Sequence, residues 1–289
     1  MTFETWRPSL LPAVVGFWNR SFSPRRNFVP LTARLFRERV LDHAEFDRKG
    51  FIVAREGREM AGAIHVGRRL DGHGYVAFLY VDAAHRRKGI GTRLWHRGLQ
   101  AIAGAPYIAV LNGWENPFYG STMGRTPPWG TPWGIGIEWS DSASLKFLAR
   151  KGHAPRGRAF QLAIDLAGVV SKGAKPRRPE LRQKREGPMV MLGWEPSAGM
   201  AWRGTASYFG FGKARPGLFG LYAVDVASAD LERSSDRSLA KRLLVAALED
   251  MRSRGGKSCE VLSSPDVRPE THQLYLKAGF KPVASWAVF

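Results

Sequence analysis

The sequence predicts an α/β (α+β) protein made of two similar halves, each a mixed, mainly antiparallel twisted sheet flanked by helices. Three observations support this. Residues 51–66 have the pattern of a hairpin, with two apolar runs around a polar turn. Residues 75–100 indicate a buried strand, a basic turn with glycines and a helix. Residues 219–280 repeat that order of elements, so the 289-residue chain suits two domains.

Composition limits the classes of site that the chain can build. The hydrophobic content of 44% is normal for a protein with a sizeable core. The single cysteine, Cys259, excludes an internal disulfide and a cysteine-rich metal site, and its strand-like surroundings predict a buried thiol. His65, His73 and His85 are scattered, so we predict no metal site.

The charge and the start of the chain bear on partners and location. The net charge of +19 favours anionic partners, although a general bias towards arginine explains it equally well. The apolar run 10–18 is interrupted by Pro12 and has no cleavage region, so it does not resemble a secretory signal. No stretch is long enough to span a membrane. We therefore expect a soluble, cytoplasmic protein without a membrane partner.

The elements of the first half follow from hydrophobic spacing. A strand, two helices, the hairpin, a strand, a helix and a further strand are predicted, at residues 3–6, 10–17, 31–46, 51–66, 76–81, 90–102 and 107–111. Asp141 or Ser140 caps another helix, which stops at Gly152, and residues 160–167 form a last strand. This half is expected to occupy residues 1–169.

The turn between strand 76–81 and its helix carries the clearest chemistry. It reads Arg86-Arg87-Lys88-Gly89-Ile90-Gly91-Thr92. Glycines at a helix N-terminus leave backbone N–H groups open to an anion, and the basic residues add positive charge. The turn lacks the Lys-Ser/Thr ending of a Walker A loop and the wider spacing of a dinucleotide fold. An exposed basic turn that binds nothing is the alternative.

This turn resembles the pyrophosphate loop of the GNAT superfamily, the acetyl-CoA-dependent N-acetyltransferases. The resemblance implies acetyl-CoA as cofactor. Leu79, Tyr80 and Val81 then look like the family's fourth strand, whose backbone pairs with pantetheine. The residues expected to bind the cofactor are these three together with Arg86, Arg87, Lys88, Gly89, Ile90, Gly91 and Thr92.

The resemblance also implies roles in catalysis. An amide at Val81 or Asp82 would polarise the thioester oxygen. Leu148 stands where many members carry a tyrosine that protonates the departing thiolate. Tyr119 is the candidate to replace it as general acid, and a packing role for Tyr119 is the alternative. Glu138 is the expected general base, and Glu115 is the second candidate. Either glutamate could instead be a surface charge.

The tryptophan-rich segment 112–139 follows the strand that splays from the fourth strand in this family. It is expected either to shape the acceptor pocket or to act as a packing insert, since aromatic residues suit both. Residues 170–188 read as a basic linker, which could also contact nucleic acid. The absence of interleaved aromatic residues argues against such contact.

Residues 189–289 look like a shortened, degenerate second copy. Tyr275 and Gly279-Phe280 are similar to the family's closing motif. However, the corresponding turn, 233–238, has no glycine and contains Asp236, whose charge opposes phosphate. The tandem arrangement is consistent with a monomer containing an internal pseudo-dimer, or with a homodimer.

Two classes of function follow from the resemblance. The first is an acetyl-CoA-dependent N-acetyltransferase that acts on a primary amine, of a small molecule or a protein, by direct attack in a ternary complex. The second is a non-catalytic acyl-CoA-binding protein with a sensing or assembly role. Acetylation of an RNA-borne amine is a weaker third hypothesis.

Overall fold

The fold was taken from a computed structural model, which divides the chain into two units. The residues described are 1–24, 28–106, 108–111, 116–120, 136–168, 181–186, 189–195, 201–212, 215–226, 231 and 233–289. Of these, residues up to 120 belong to the first unit and residues from 136 onwards to the second. Within these ranges, none of the helices combines the length and the apolar character that crossing a bilayer would require.

The first unit contains a five-stranded sheet in the order β1-β2-β3-β4-β5. All neighbouring strands are antiparallel except β4 and β5, which are parallel. Its elements are β1 (Thr2–Thr5), α1 (Leu11–Phe22), α2 (Ala33–Phe36, continued by a π-helical turn, Arg37–Leu41), β2 (Phe51–Glu56), β3 (Glu59–Arg68), β4 (Gly74–Val81), α3 (Ile90–Ala101) and β5 (Ile108–Val110).

Local sequence explains the bounds of two of these elements. Pro12 lies in the first turn of α1, where a missing N–H costs no intrahelical bond, so the helix continues to Phe22, beyond the predicted end. Gly57 adopts a positive φ of 61° in the turn that joins β2 to β3. This conformation favours glycine and closes the predicted hairpin.

Helices cover both faces of the first sheet. On one face, α1 buries Phe17, Trp18 and Phe22 against aromatic residues of β4. On the other face, α3 approaches β3 so closely that a Cβ on Gly98 would lie 2.7 Å from the Ile64 Cδ1 atom. The sheet therefore positions the C-terminal end of β4 and the N-terminus of α3 rigidly within one layered core.

The second unit contains a seven-stranded sheet in the order β12-β6-β11-β10-β9-β8-β7. All its pairs are antiparallel except β10 and β11. Its elements are α4 (Ser142–Ala149), β6 (Gly157–Asp165), β7 (Leu181–Glu186), β8 (Met189–Trp194), β9 (Gly204–Gly210), β10 (Leu218–Val226), α5 (Ser234–Ser253), β11 (Ser258–Ser263), α6 (Pro269–Lys277) and β12 (Lys281–Val288). The two mixed sheets confirm the predicted fold class.

The predicted domain boundary at residue 169 does not match this division. β6, expected to end the first domain, lies between β11 and β12, with both of its edges hydrogen-bonded in the second sheet. Buried polar contacts reinforce the placement: the Gln161 Nε2 atom donates to Glu260 Oε2 at 2.6 Å, and Trp286 Nε1 donates to Gln161 Oε1 at 3.2 Å. The second unit therefore includes residues from 136 onwards.

The predicted linker 170–188 also needs correction. Residues 181–186 form β7, the edge strand of the second sheet, and from Arg182 to Glu186 its residues are exposed. Charged residues are common on edge strands because they discourage pairing with another chain. The charged composition of β7 therefore resembles that of a linker, which is why the sequence predicts one here. Residues 169–180 and 187–188 lie outside the described part of the structure.

Candidate functional site

The neighbouring parallel strands β4 and β5 separate after a short stretch of pairing. They pair only from Gly74 to Val76, and the last ladder bond runs from Leu111 N–H to the carbonyl of Val76 at 3.0 Å. Among the described residues, no strand pairs with residues 77–81 of β4 on the β5 side. Within the described part of the chain, the C-terminal half of β4 therefore has an unpaired backbone edge.

A β-bulge sets the direction of that edge. The register between β3 and β4 shifts so that Ala77 has no partner on β3. The carbonyls of Val76 and Ala77 both point towards β5, since the first accepts from Leu111 N–H and the second from the Asn116 side chain. A regular strand would turn successive carbonyls to opposite sides.

Beyond the bulge, one hydrogen bond at the C-terminal end of β4 shows which amides point to the open edge. Asp82 N–H donates to the Ala61 carbonyl of β3 at 2.9 Å. Because backbone groups alternate along a strand, Leu79 and Val81 direct their N–H groups to the open edge. Of the two amides predicted as oxyanion donors, the Asp82 amide is therefore already bonded within the sheet.

The glycine turn leads directly from this edge into α3. Gly89 is the N-cap of the helix, in the left-handed conformation with φ 74°, and it provides no side-chain cap. Arg87, Lys88 and Gly89 are exposed. The first amides of a helix have no intrahelical partner and lie at the positive end of its dipole. The residues present therefore suit a diphosphate group.

Arg86 connects the turn to the strand. Its Nε atom donates to the Val81 carbonyl at 3.1 Å, and its guanidinium carbon lies 5.3 Å from the centre of the Tyr80 ring. Both contacts hold the turn against the end of β4. Val81 therefore lies at the end of the open edge nearest the turn, while Leu79 lies closer to the bulge.

Asn116 is a site residue that the sequence analysis did not select. Its Nδ2 atom donates to the carbonyls of Ala77, at 2.6 Å, and Leu111, at 3.4 Å. Its Oδ1 atom accepts from the N–H groups of Phe118, at 3.2 Å, and Tyr119, at 3.0 Å. The available signal was the Asn-Pro pair inside an aromatic segment, since asparagine often bonds to backbone two residues ahead.

The surroundings of Tyr119 favour the packing role over that of general acid. Its side chain is fully buried, stacked on Trp18 at 5.7 Å, and its hydroxyl lies 3.0 Å from the His65 Nδ1 atom. Burial raises the pKa of Tyr119 well above its usual value. A hydroxyl enclosed in this way belongs to the core beneath β4.

Glu138 and the tryptophan-rich segment are only partly described. Glu138 is half-buried, belongs to the second unit and forms an isolated bridge with Trp286 of β12. The structure therefore places it in a different unit from the β4 edge. Glu115 and most of segment 112–139 lie outside the described ranges, so the predicted acceptor pocket stays a prediction.

The second unit contains a comparable arrangement without the glycine turn. β10 has a register shift between Leu221 and Ala223 and pairs with β11 only as far as Leu221. However, Asp236 lies in the first turn of α5, where its negative charge takes the position favoured by an anion. Tyr275 is buried, which raises its pKa.

Comparisons with known proteins agree with this geometry. A model of the acetyltransferase (GNAT) family matches residues 12–121, which include the β4 edge, the glycine turn and α3. No curated protein sequence matches the chain.

Solved structures share the fold over almost the whole chain. A tandem GNAT protein from the clavulanic acid biosynthesis pathway has 14% identity and a TM-score of 0.67, over 99% of this chain and 96% of that one. A GCN5-related N-acetyltransferase from Sphaerobacter thermophilus has 16% identity and a TM-score of 0.64, over 99% and 93%.

A third similar structure belongs to a longer protein. It is described as a GCN5-related glucosamine N-acetyltransferase region in a fungal multi-domain GH3 beta-N-acetylglucosaminidase, with 16% identity and a TM-score of 0.63. The match covers 99% of this chain but only 37% of that chain. The first unit is therefore similar to acetyltransferases of the GNAT family over residues 12–121, and the chain shares the fold of a solved tandem GNAT structure over 99% of its own length.

Proposed function

We propose that the first unit transfers an acetyl group from acetyl-CoA to a primary amine, by direct attack of the amine in a ternary complex. The observation that carries the proposal is the open edge of β4 beside a helix that begins at an exposed glycine. Strand edges bind extended amides, and helix N-termini bind phosphates. One continuous surface therefore suits both the arm and the diphosphate of coenzyme A.

The residues of the turn would bind the diphosphate. The N–H groups from Gly89 to Thr92 belong to the cap and first turn of α3, and Arg87 and Lys88 contribute positive charge from exposed positions. For Arg86 we propose a positioning role beside the predicted cofactor contact, because its Nε atom donates to the Val81 carbonyl and holds the turn against β4. Its function in this proposal is to fix the distance between the turn and the strand.

The open amides of β4 would orient the pantetheine arm. Val81 lies next to the turn, so its N–H would pair with the arm near the diphosphate, and Leu79 would pair further along. The reacting thioester would then lie towards the bulge. The proposed donor to the thioester oxygen is therefore the Leu79 N–H and not the Val81 N–H. The sheet already holds the Leu79 N–H in place, so it needs no reorganisation during the reaction.

Acetyl-CoA supplies an activated acetyl group as a thioester, so the chain has to position the amine and remove its proton. Glu138 is kept as the proposed general base. If it has this role, Glu138→Gln should lower kcat/KM near neutral pH, and the loss should shrink at high pH, where the amine loses its proton unaided. A uniform loss across the pH range would exclude Glu138 as the base.

A non-catalytic acyl-CoA-binding protein is the second candidate. The burial of Tyr119 favours this non-catalytic role. Leu148 favours it too, because this buried apolar residue stands where many members carry the tyrosine that acts as general acid. Neither side chain can protonate a departing thiolate. A protein of this type would bind acetyl-CoA at the same edge without turning it over.

Thiol release from acetyl-CoA distinguishes the two candidates. The wild-type protein should release coenzyme A only in the presence of an accepted amine from a panel of small amines and N-terminal peptides. Calorimetry on the same sample gives the affinity for acetyl-CoA. Binding without release favours the non-catalytic protein, whereas no binding at all refutes both candidates. Binding to RNA that weakens steeply with salt would support an RNA-borne acceptor.

A further inference from the structure

Resting on the function proposed above, we propose that Asn116 forms the inner wall of the acyl site and restricts the enzyme to acetyl-sized groups. The argument begins with the backbone at the point where β4 and β5 separate. In a regular parallel ladder, the Leu111 carbonyl would accept from the N–H two residues beyond Val76, which belongs to Phe78. The bulge at Ala77 turns the Phe78 N–H towards β3 instead.

The bulge therefore leaves two acceptors in one gap. The carbonyls of Ala77 and Leu111 both point into the space between the strands, and neither can donate a hydrogen bond to the other. A buried carbonyl without a donor destabilises the folded protein. The Asn116 NH₂ group supplies the missing donor to both, and its side chain is only 2% exposed.

The Asn116 amide is held in one orientation. Its Oδ1 atom accepts from two backbone N–H groups, so exchanging Oδ1 and Nδ2 would place donors against donors and acceptors against acceptors. Behind it, Phe118 and Tyr119 are buried, and Tyr119 packs between Trp18 and Phe78 at ring distances of 5.7 and 5.5 Å. The amide is therefore held by four hydrogen bonds and backed by packed aromatic rings.

The position of this wall sets the room for an acyl group. Leu79 and Ala77 are separated by two residues, or about 7 Å along a strand. Van der Waals contact with the Asn116 amide takes up about 4 Å of this distance. About 3 Å remains beyond a thioester held by Leu79, which accommodates a methyl group but not a propyl chain.

The affinities of acetyl-CoA, propionyl-CoA and butyryl-CoA test this inference without an acceptor amine. In calorimetry, the wild-type protein should bind acetyl-CoA at least about tenfold more tightly than butyryl-CoA, the usual minimum effect of one excess methylene in a closed pocket. In Asn116→Ala, the difference should fall below about threefold, because the wall atoms have been removed.

Asn19→Ala is the matched control. The Asn19 side chain also bonds to backbone within the first unit, donating to the Leu31 carbonyl at 3.0 Å and accepting from Leu31 N–H at 2.7 Å. It contacts neither β4 nor β5 through these bonds. Its removal should lower stability but leave the ratio of acetyl-CoA to butyryl-CoA affinities at the wild-type value.

Each outcome decides the inference. Equal wild-type affinities for acetyl-CoA and butyryl-CoA would overturn it while leaving the proposed function intact, even if Asn116→Ala does not fold. An unchanged ratio in a folded Asn116→Ala protein would also overturn it, because Asn116 would then be a structural residue only. Failure of wild-type protein to bind any of the three would overturn both this inference and the proposed function.

Discussion

The buried histidine beneath the β4 edge predicts a specific loss of stability in mild acid. His65 is fully buried, and burial lowers its pKa from 6.5 to about 3, with a smaller contribution from His43. The folded protein therefore keeps His65 neutral at pH values where the unfolded chain binds a proton. Above pH 6.5 the imidazole is neutral in both states, so its contribution to stability is complete there.

The size of the effect follows from the difference between the two pKa values. As the pH falls below 6.5, protonation of the unfolded chain lowers the free energy of unfolding by about 1.4 kcal/mol per pH unit. The loss is roughly 2 kcal/mol at pH 5 and approaches 4–5 kcal/mol near the folded pKa. Within the described residues, the Nε2 atom of His65 has no hydrogen-bond partner, so nothing there stabilises an added proton.

Urea unfolding of the wild-type protein and of His65→Gln between pH 8 and 5 measures this contribution. Carboxylates titrate in both proteins, so the difference between the two pH profiles isolates the histidine. The wild-type protein should lose roughly 2 kcal/mol more than the variant over this range. Parallel profiles for the two proteins, or an NMR titration of His65 with a midpoint near 6.5, would refute the reasoning.

Two further predictions concern packing. Gly98→Ala should lower the free energy of unfolding by about 1–3 kcal/mol, because the alanine Cβ would lie 2.7 Å from Ile64 Cδ1. This loss is expected even though alanine is the better helix former. A raised urea midpoint would contradict the close helix–sheet contact. Cys259 is buried, which raises the pKa of its thiol, so an aromatic disulfide reagent should label no cysteine in the native protein and one after denaturation. Rapid labelling of the native protein would show that β11 is accessible.

Features that depend on neighbouring residues were predictable from the sequence. The hairpin, the strand 76–81, the glycine turn and the helix after it are local patterns, and the structure places them within a few residues of their predicted bounds. Asp141 caps α4 as predicted, since its side chain accepts from Ser144 N–H at 3.1 Å. Apolar spacing and cap residues contain this information directly.

Features that depend on distant parts of the chain were not predictable in this way. The apolar pattern of β6 predicts a strand, but it does not reveal that β11 and β12, about a hundred residues later, provide both of its neighbours. Tyr119 was chosen by residue type, whereas its burial depends on Trp18 and Phe78. The contacts of Asn116 with the carbonyls of Ala77 and Leu111 depend on a bulge that has no signature in the sequence.

The central claim is that an anion is bound at the start of α3 and not at the start of α5. Gly89→Asp places a carboxylate at that position, where a Cβ has nothing within 4 Å but where the φ of 74° favours glycine and adds backbone strain. Repulsion between this carboxylate and one phosphate charge, at about 5 Å and an effective dielectric constant near 20, costs roughly 3 kcal/mol. The exposed residue Ser238 lies in the first turns of α5, so Ser238→Asp is the matched control.

Calorimetric titration of both variants with acetyl-CoA tests this claim most directly. The account predicts that Gly89→Asp weakens binding by at least about a hundredfold, whereas Ser238→Asp binds as the wild-type protein does. Equal losses in the two variants, or a loss only in Ser238→Asp, would contradict it.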